Sequence, residues 1–398
     1  MKRTVTILAV ILFVMAGCVS CKQSATQDYD FITIDVTTSY PKKELILQDF
    51  MDVEYIPLET TDDFITMAHI EAIGKNVIIF RNRNRATDGK IFIYDRNGKG
   101  LRIINRLGQG VEEYSFLLGI TLDEDNNEIF INDHCSGKIF VYDLFGKFKR
   151  SFSHKENNWY RLVDNFDRDN LICQTAGLEE EVKNIFLIIS KQDGSITKEI
   201  EIPFKEKKST TVQFIDEAEQ RFFSTGPGNQ EFIPFLDNWL LVEPSSDTIY
   251  KLLPDYNIIP FIVKTPSVQS MNPKVFLFPG VITDRYYFIQ SVKKEYDFEA
   301  KKGFPRIDLM YDKQENTIFE YVMYNDDYSN KKTVNLGQKI FFVNNDIAFL
   351  QKLEASEIIE AYEKGELKGK LKEIAAGLEE ESNPVIMLVK NKNSHKTT

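Results

Sequence analysis

Apolar residues recur along this chain in short β-branched and aromatic runs, each closed by a cluster of Asp, Asn or Gly. Ile91-Phe92-Ile93-Tyr94-Asp95 leads to Gly98-Lys99, and Ile139-Phe140-Val141-Tyr142-Asp143 leads to Gly146-Lys147. Ile185-Phe186-Leu187-Ile188-Ile189 leads to Asp193-Gly194, so the three glycines fall 48 residues apart. Runs of this composition suit a pleated, half-buried surface. Glycine supplies the positive φ that a tight hairpin turn requires. A period near 48 with several strands per unit predicts the blades of a β-propeller.

The pattern returns at wider spacing. Thr248–Leu252 precedes Pro254-Asp255, Ile307–Asp312 precedes Gln314-Glu315-Asn316, and Pro384–Val389 closes the series. Six hairpin-type strands predict six blades, with insertions in the second half. One unit can be written in full: an inner strand over Leu118–Leu122, a second over Glu128–Asn132, a third over Lys138–Tyr142 and an outer one over Lys147–Phe152. A four-stranded unit of this kind cannot bury both faces alone and must stack on neighbours around an axis. The expected fold class is therefore all-β, a six-bladed β-propeller with four-stranded blades. Phe31–Val36 and Val53–Leu58 are strand-like and belong to no blade of their own. At least one is expected to complete the last blade and close the ring.

One stretch has helical spacing. Ile358, Tyr362, Leu367, Leu371, Ile374 and Leu378 recur at three- and four-residue or near steps, with Ser356 as N-cap and Gly365 and Gly369 dividing the run. It reads as an insertion, about residues 354–380, between the second and third strands of the last blade.

The chain begins differently. Met1-Lys2-Arg3 precedes an apolar run from Val5 to Met15, which ends in Ala16-Gly17-Cys18. A positive start, a short apolar core and a small-residue exit describe an export signal, and the run is too short to span a bilayer as a stable helix. Met15-Ala16-Gly17-Cys18 resembles a bacterial lipobox, with Cys21 a poorer second site. Lipid on Cys18 would hold the rest of the chain at a membrane without a spanning helix. The expected organisation is a signal peptide over 1–17, a lipidated linker over 18–30, the propeller over 31–391 and a tail over 392–398. The expected address is the cell envelope, with the outer membrane favoured and the domain in the periplasm or at the cell surface.

Charge and cysteines narrow the picture. Net charge is −11, becoming −13 when Lys2 and Arg3 leave with the leader. An acidic body excludes nucleic acid as the expected partner, because phosphate backbones reward basic surfaces. Beyond the leader only Cys135 and Cys173 remain, too few for a disulfide framework, though one bridge between them is open in an oxidising compartment.

Several segments carry a family resemblance. Gly108-Gln109-Gly110, Glu113-Tyr114, Gly119–Asp123, Ile129–Asp133 and Lys138–Asp143 are similar to one NHL-type propeller repeat. Asp52–Thr60, Ser246–Tyr250 and Asn383-Pro384-Val385 extend the likeness over nearly the whole chain. Together they resemble the six-bladed β-propeller lipoproteins of Gram-negative gut-type bacteria. Val111-Glu112 departs from the Pro-Gly of that pattern. The resemblance implies a fold and an envelope address and no established activity.

Candidate chemistry is sparse. Gly108-x-Gly110 lacks the third glycine and following helix of a dinucleotide loop and reads as a turn. Asp123-Glu124-Asp125 lacks the spacing and closing Glu of a calcium loop. His69, His134, His154 and His395 show no zinc-ligand spacing, and no nucleophile elbow appears. No catalytic residue, metal ligand or cofactor is expected. In a four-stranded blade the loop between strands two and three shares a rim with the link to the next blade. That rim gathers Arg81, Arg83, Arg85, Asp133, His134, His154, Trp159 and Tyr160. Arginine forks suit carboxylate or phosphate, so the rim is a candidate mouth for an unknown protein, a glycan or a small anionic ligand. Its plain alternative is a solvated rim whose arginines pair surplus carboxylates. The favoured function is a binding or scaffolding lipoprotein. The competing one is a metal-dependent hydrolase or lactonase with axial calcium or another divalent ion, since related propellers hold a metal in the channel through Glu, Asn and Asp.

Overall fold

The computed structural model describes residues 31–82, 88–155, 159–176, 186–216, 221–336 and 347–392. Its sheets form a six-bladed β-propeller. Blade one is His69–Ile73, Val77–Arg81, Lys90–Asp95 and Gly100–Asn105. Blade two is Gly119–Asp123, Glu128–Asp133, Lys138–Asp143 and Phe148–Ser153. Blade three is Trp159–Asn165, Asn170–Ala176, Phe186–Ser190 and Ile196–Ile200. Blade four is Phe232–Phe235, Asn238–Leu241, Thr248–Leu252 and Ile258–Thr265, and blade five is Val275–Ile282, Tyr286–Lys293, Arg306–Asp312 and Thr317–Tyr324. Blade six is described from Ile347–Leu353 through Val385–Asn391, and its outer strand is the N-terminal Met51–Pro57.

The N-terminal segment thus closes the ring as its sequence predicts, and it does more. Ile32–Asp35 adds a parallel strand to the outer edge of blade four, and Lys42–Ile46 adds one to blade five. Residues 31–57 therefore cover the outer edges of three successive blades. Parallel addition at an edge satisfies backbone groups that an open outer strand would leave exposed.

The apolar runs form third strands, and in blades one to three both of their faces are covered. Ile91–Tyr94, Ile139–Tyr142 and Phe186–Ile189 are all buried. Separate apolar clusters fill the seams: Phe130, Tyr160, Cys173 and Leu187 belong to one, and Ile79, Ile93, Ile131 and Tyr142 to another. Burying each such side chain contributes about 2 kcal/mol.

The 48-residue period has a direct cause in the seams. Gly98, Gly146 and Gly194 sit at φ of +84°, +82° and +74°. Each also presses on the outer strand of the preceding blade. A Cβ would collide with the Pro57 carbonyl at Gly98, come to 3.0 Å from Ile104 at Gly146, and enter the Phe152 ring at Gly194. Four residues after the first two glycines stand Arg102 and Arg150. Arg102 Nη1 donates to the Leu144 carbonyl at 2.8 Å, and Arg150 Nε donates to that of Lys191 at 2.9 Å. These arginines tie one blade to the next turn, a repeat that the strand pattern alone does not reveal.

The helices Ala355–Glu363 and Gly369–Ala375 lie between the second and third strand positions of blade six. Ile358, Leu367 and Leu371 pack into the core, whereas Tyr362 is exposed. Gly365 has a φ of +70° just past the first helix. The first helix starts at Ala355 after Glu354, with no side-chain cap, so Ser356 is not the N-cap.

Candidate functional site

Antiparallel strands place successive connections alternately on the two ends of the ring. One end, here the turn face, joins its strands by two to five residues throughout the described blades. The other, the loop face, holds every longer connection. Its largest run from Ile200 to Phe232 and from Leu353 to Val385. The first contains an extra hairpin, Val212–Asp216 with Arg221–Thr225. Phe214 of that hairpin stacks on Phe298 at 5.3 Å, while Ile215 and Phe222 are exposed on its opposite side. Asp216 therefore belongs to a loop-face hairpin and to no inner strand.

The inner strands line an axial cavity of about 500 Å³. At its loop-face mouth two of those strands carry bulges. Ile70 pairs with Phe80 and Ala72 with Ile79, which leaves Glu71 as the extra residue. Tyr160 pairs with Thr175 and Leu162 with Gln174, which leaves Arg161 extra. A bulge breaks the in–out alternation and re-aims one side chain. Here it turns one charged residue from blade one and one from blade three into the cavity lining.

Each is held from behind. Glu71 Oε1 lies 2.6 Å from Arg81 Nε and 3.4 Å from His69 Nε2, and Glu71 Oε2 accepts the Ile120 N–H at 3.1 Å. Arg161 Nη2 contacts Glu231 at 2.8 Å and donates to Gln174 Oε1 at 2.5 Å, while Gln174 Nε2 donates to Glu231. Burial pushes the Glu231 carboxyl up, and Arg161 and Gln174 oppose the shift. The side chains of Glu71, Arg81 and Glu231 are 4%, 2% and 14% exposed, against 45% for His69 and 44% for Arg161. The carboxylates are therefore interior, and of their cationic or hydrogen-bond-donating partners His69 and Arg161 reach solvent while Arg81 does not. Between them Gly119 leaves open space, its nearest neighbour on the Cβ side being Glu71 Oε2 at 3.9 Å.

The segment before the inner strand of blade four is strapped across this face. Arg306 donates to the Pro227 carbonyl, and Asn229 Nδ2 to Gln290 Oε1 at 3.0 Å. Gln290 in turn accepts from Arg306 at 2.7 Å and donates to Asp308 at 2.8 Å. Burial pushes the Asp308 carboxyl up.

The residues expected on the rim separate into three groups. Arg81 is not a solvated fork: it is buried, paired with Glu71 and bonded through Nη1 to the Asn82 carbonyl at 2.9 Å. Asp133, His154 and Tyr160 are buried structural groups. Asp133 accepts from Ser115 Oγ at 2.9 Å and from the Cys135 N–H at 2.9 Å. His154 Nε2 lies 3.0 Å from Asn132 Oδ1, and its ring packs on Tyr160 at 4.4 Å. Burial pulls the His154 pKa down to about 4, with His134 adding to the shift, and burial pushes Tyr160 up to about 12. His134 and Trp159 form the accessible pair, edge to face at 4.2 Å with Trp159 exposed. Arg83, Arg85 and Cys18 lie outside the described residues.

Glu71, Arg161 and Glu231 are absent from the sequence-based set. Nothing in the hydrophobic alternation marks a bulge, and the bulge is what brings the first two together. On the turn face, Asp123 pairs with the buried Lys191 at 2.5 Å, and Glu124 accepts the Asn76 N–H at 2.9 Å. That acidic run is a structural turn. Both Cys135 and Cys173 are free thiols, the first exposed and the second buried. Among the described residues no group of three His, Cys, Asp or Glu side chains is arranged to hold a metal ion, and no helix is long and apolar enough to cross a membrane.

The ring and its one-sided loops define a six-bladed propeller with an axial, loop-face mouth. The chain belongs to the family described as domain of unknown function DUF4934, which matches residues 31–390. A solved protein of Bacteroides fragilis, whose name describes it as exported, is 15% identical over 91% of this chain and 100% of its own, with a TM-score of 0.60. A member of the DUF4221 family from Bacteroides vulgatus is 12% identical over 87% of this chain and 98% of its own, with a TM-score of 0.47. The first of these likenesses concerns the fold alone. No curated protein matches the sequence.

Proposed function

We propose that this chain is an exported, envelope-anchored binding or scaffolding lipoprotein that works through its loop face. The observation that carries the reading is the division of labour between the two ends of the ring. Among the described residues the long connections between blade strands, the extra hairpin and the helical insertion share one end, while the strands of each blade meet at the other in tight turns. A rigid scaffold with elaborated loops on one side is the usual arrangement for recognition. The export signal and Met15-Ala16-Gly17-Cys18 support attachment through lipid on Cys18, and the described exported neighbour in Bacteroides fragilis is in keeping with that address.

Two measurements test the reading. Cells fed a labelled fatty acid should label the wild-type chain and not the Cys18→Ser variant. A screen of glycans and small organic acids against the purified chain should return a ligand weakened by Trp159→Ala or by shortening the 206–226 hairpin loop. A ligand insensitive to every loop-face change and lost on altering the turn face would refute the assignment.

A further inference from the structure

We infer that the bulge-built mouth between blades one and three binds an organic oxyanion, with Arg161 as its charged contact and the axial cavity receiving the ligand's body. The inference rests on the loop face being the working face, and it assigns a place and a chemistry that the outer rim residues do not supply.

Four observations converge. First, Arg161 is the extra residue of a bulge on an inner strand, and its side chain joins the cavity lining. Second, both of its protein contacts are made through Nη2, to Glu231 and Gln174. A guanidinium carries five N–H donors, and both of its paired edges include Nη2, so Nη1 and the Nε–H are left as separate donors for a ligand. A carboxylate, sulfate or phosphate ester oxygen would accept a charge-assisted hydrogen bond from Nη1. Third, the interior carboxylates Glu71 and Glu231 hold their partners from behind, which leaves His69 and Arg161 as the accessible ends. A ligand entering the mouth therefore meets donors before it meets carboxylates. Fourth, Gly119 keeps the floor between them open, and the wall below continues with Leu118, Ile120 and Val163. A cavity of about 500 Å³ is far larger than a bare inorganic anion needs and lies within the size of small-molecule sites.

Oxyanions of this kind occur on acidic sugars and on aliphatic acids. Both share the group that Arg161 would hold, and they differ in the body that the cavity must take. The test uses the chain from residue 31, which contains all six blades, titrated calorimetrically at low salt with D-glucuronate, hexanoate and inorganic sulfate. The expected result is binding of at least one organic acid with a dissociation constant of about 1 mM or tighter, and weaker binding of sulfate. Glucuronate alone assigns the saccharide source, and hexanoate alone assigns the aliphatic one. Arg161→Gln should weaken the bound acid about tenfold or more, Arg161→Lys should weaken it less, and Trp159→Ala should leave it unchanged. Circular dichroism of each variant reports folding, and Arg161→Lys serves if Arg161→Gln fails to fold.

Three outcomes overturn the proposal: neither organic acid binds at about 20 mM, sulfate binds as tightly as both, or Arg161→Gln binds like the wild type. These are separable from failure of the wider reading. A ligand lost in Trp159→Ala and retained in Arg161→Gln sinks the mouth site and leaves the loop-face assignment standing.

Discussion

The two ends of the ring solve different problems with the same strands. On the turn face each described connection is short, and the turns at Gly98, Gly146 and Gly194 also fit the flank of the blade before them. Gly98, Gly146 and Gly194 keep a positive φ and leave no room for a Cβ, and Arg102 and Arg150 reach across to neighbouring turn carbonyls. On the loop face two charged groups, Glu71 and Arg161, are aimed by local irregularities, the bulges in the inner strands of blades one and three. Periodicity marks what the ring needs to stand. Departures from it mark what the ring is free to use.

That division has an exception, and it predicts the largest effect. Asn383 lies on the loop face and is wholly structural. Its Nδ2 donates to the carbonyls of Glu59 at 2.8 Å and Phe64 at 2.6 Å, and its Oδ1 accepts the Thr66 N–H at 2.9 Å. It joins blade six to the link entering blade one, where the ring closes. Asn383→Ala would orphan the buried Thr66 N–H, at about 1–3 kcal/mol, and remove two part-buried hydrogen bonds worth about 1 kcal/mol each. A loss of about 4 kcal/mol in urea denaturation is expected, with loop-face ligand affinity unchanged in the folded fraction. A loss under about 1 kcal/mol would show that the seam is held elsewhere. Gly98→Ala comes next. A backbone carbonyl cannot yield as a side chain can, so strain at Pro57 adds to the left-handed penalty of about 1–2 kcal/mol. A destabilisation of about 3 kcal/mol is expected by the same measurement.

These two residues also show how much of the molecule the sequence carries. Gly98 announced a turn through its spacing, and the third strands of blades one to three were the most legible because both of their faces are buried and their central residues are uniformly apolar. Asn383 was visible only as part of a family likeness, since nothing local says that its amide bridges the ring closure. Of the two parallel strands, Ile32–Asp35 read as a strand and Lys42–Ile46 did not, and the partners of both lie more than two hundred residues away and could not be assigned. For the candidate site the loss is greater. Rim position was legible from blade geometry, whereas burial of Arg81, Asp133, His154 and Tyr160 was not. Solvent exposure at a blade's end depends on the neighbouring blade, and Glu71 and Arg161 depend on a register shift that alternation does not encode.

His154 carries the third prediction. Its ring is buried against Tyr160, and its pKa falls to about 4 from an ordinary value of about 6.5 in the unfolded chain. Between those values the unfolded chain binds a proton that the folded one refuses. Stability from this group is therefore full above about pH 6.5 and is lost as pH falls toward 4, the direction linkage requires. The amount is about 2 kcal/mol after allowing for partial solvent access. Comparing urea unfolding at pH 7 and pH 4.5, His154→Gln should lose less stability than the wild type. Parallel losses in the two proteins would mean that His154 does not govern the acid response, and that this loop-face residue is not the structural group its packing implies.

The smallest predicted effect isolates the difference between the faces most directly. Gly137 lies in the loop between the second and third strands of blade two, with a φ of +63°, close to the conformation of the turn-face glycines. A Cβ there would meet no atom within 4 Å. Gly137→Ala consequently meets only the left-handed backbone penalty, about 1 kcal/mol, partly offset by the lower entropy of the unfolded alanine chain. Against about 3 kcal/mol for Gly98→Ala, the gap measures the cost of the neighbouring blade alone, since the backbone term is shared. Thermal or urea unfolding of the two variants side by side reads it. Equal losses would mean that the turn-face glycines are kept for φ and not for the seam. The 48-residue period would then reflect hairpin geometry rather than contact between blades.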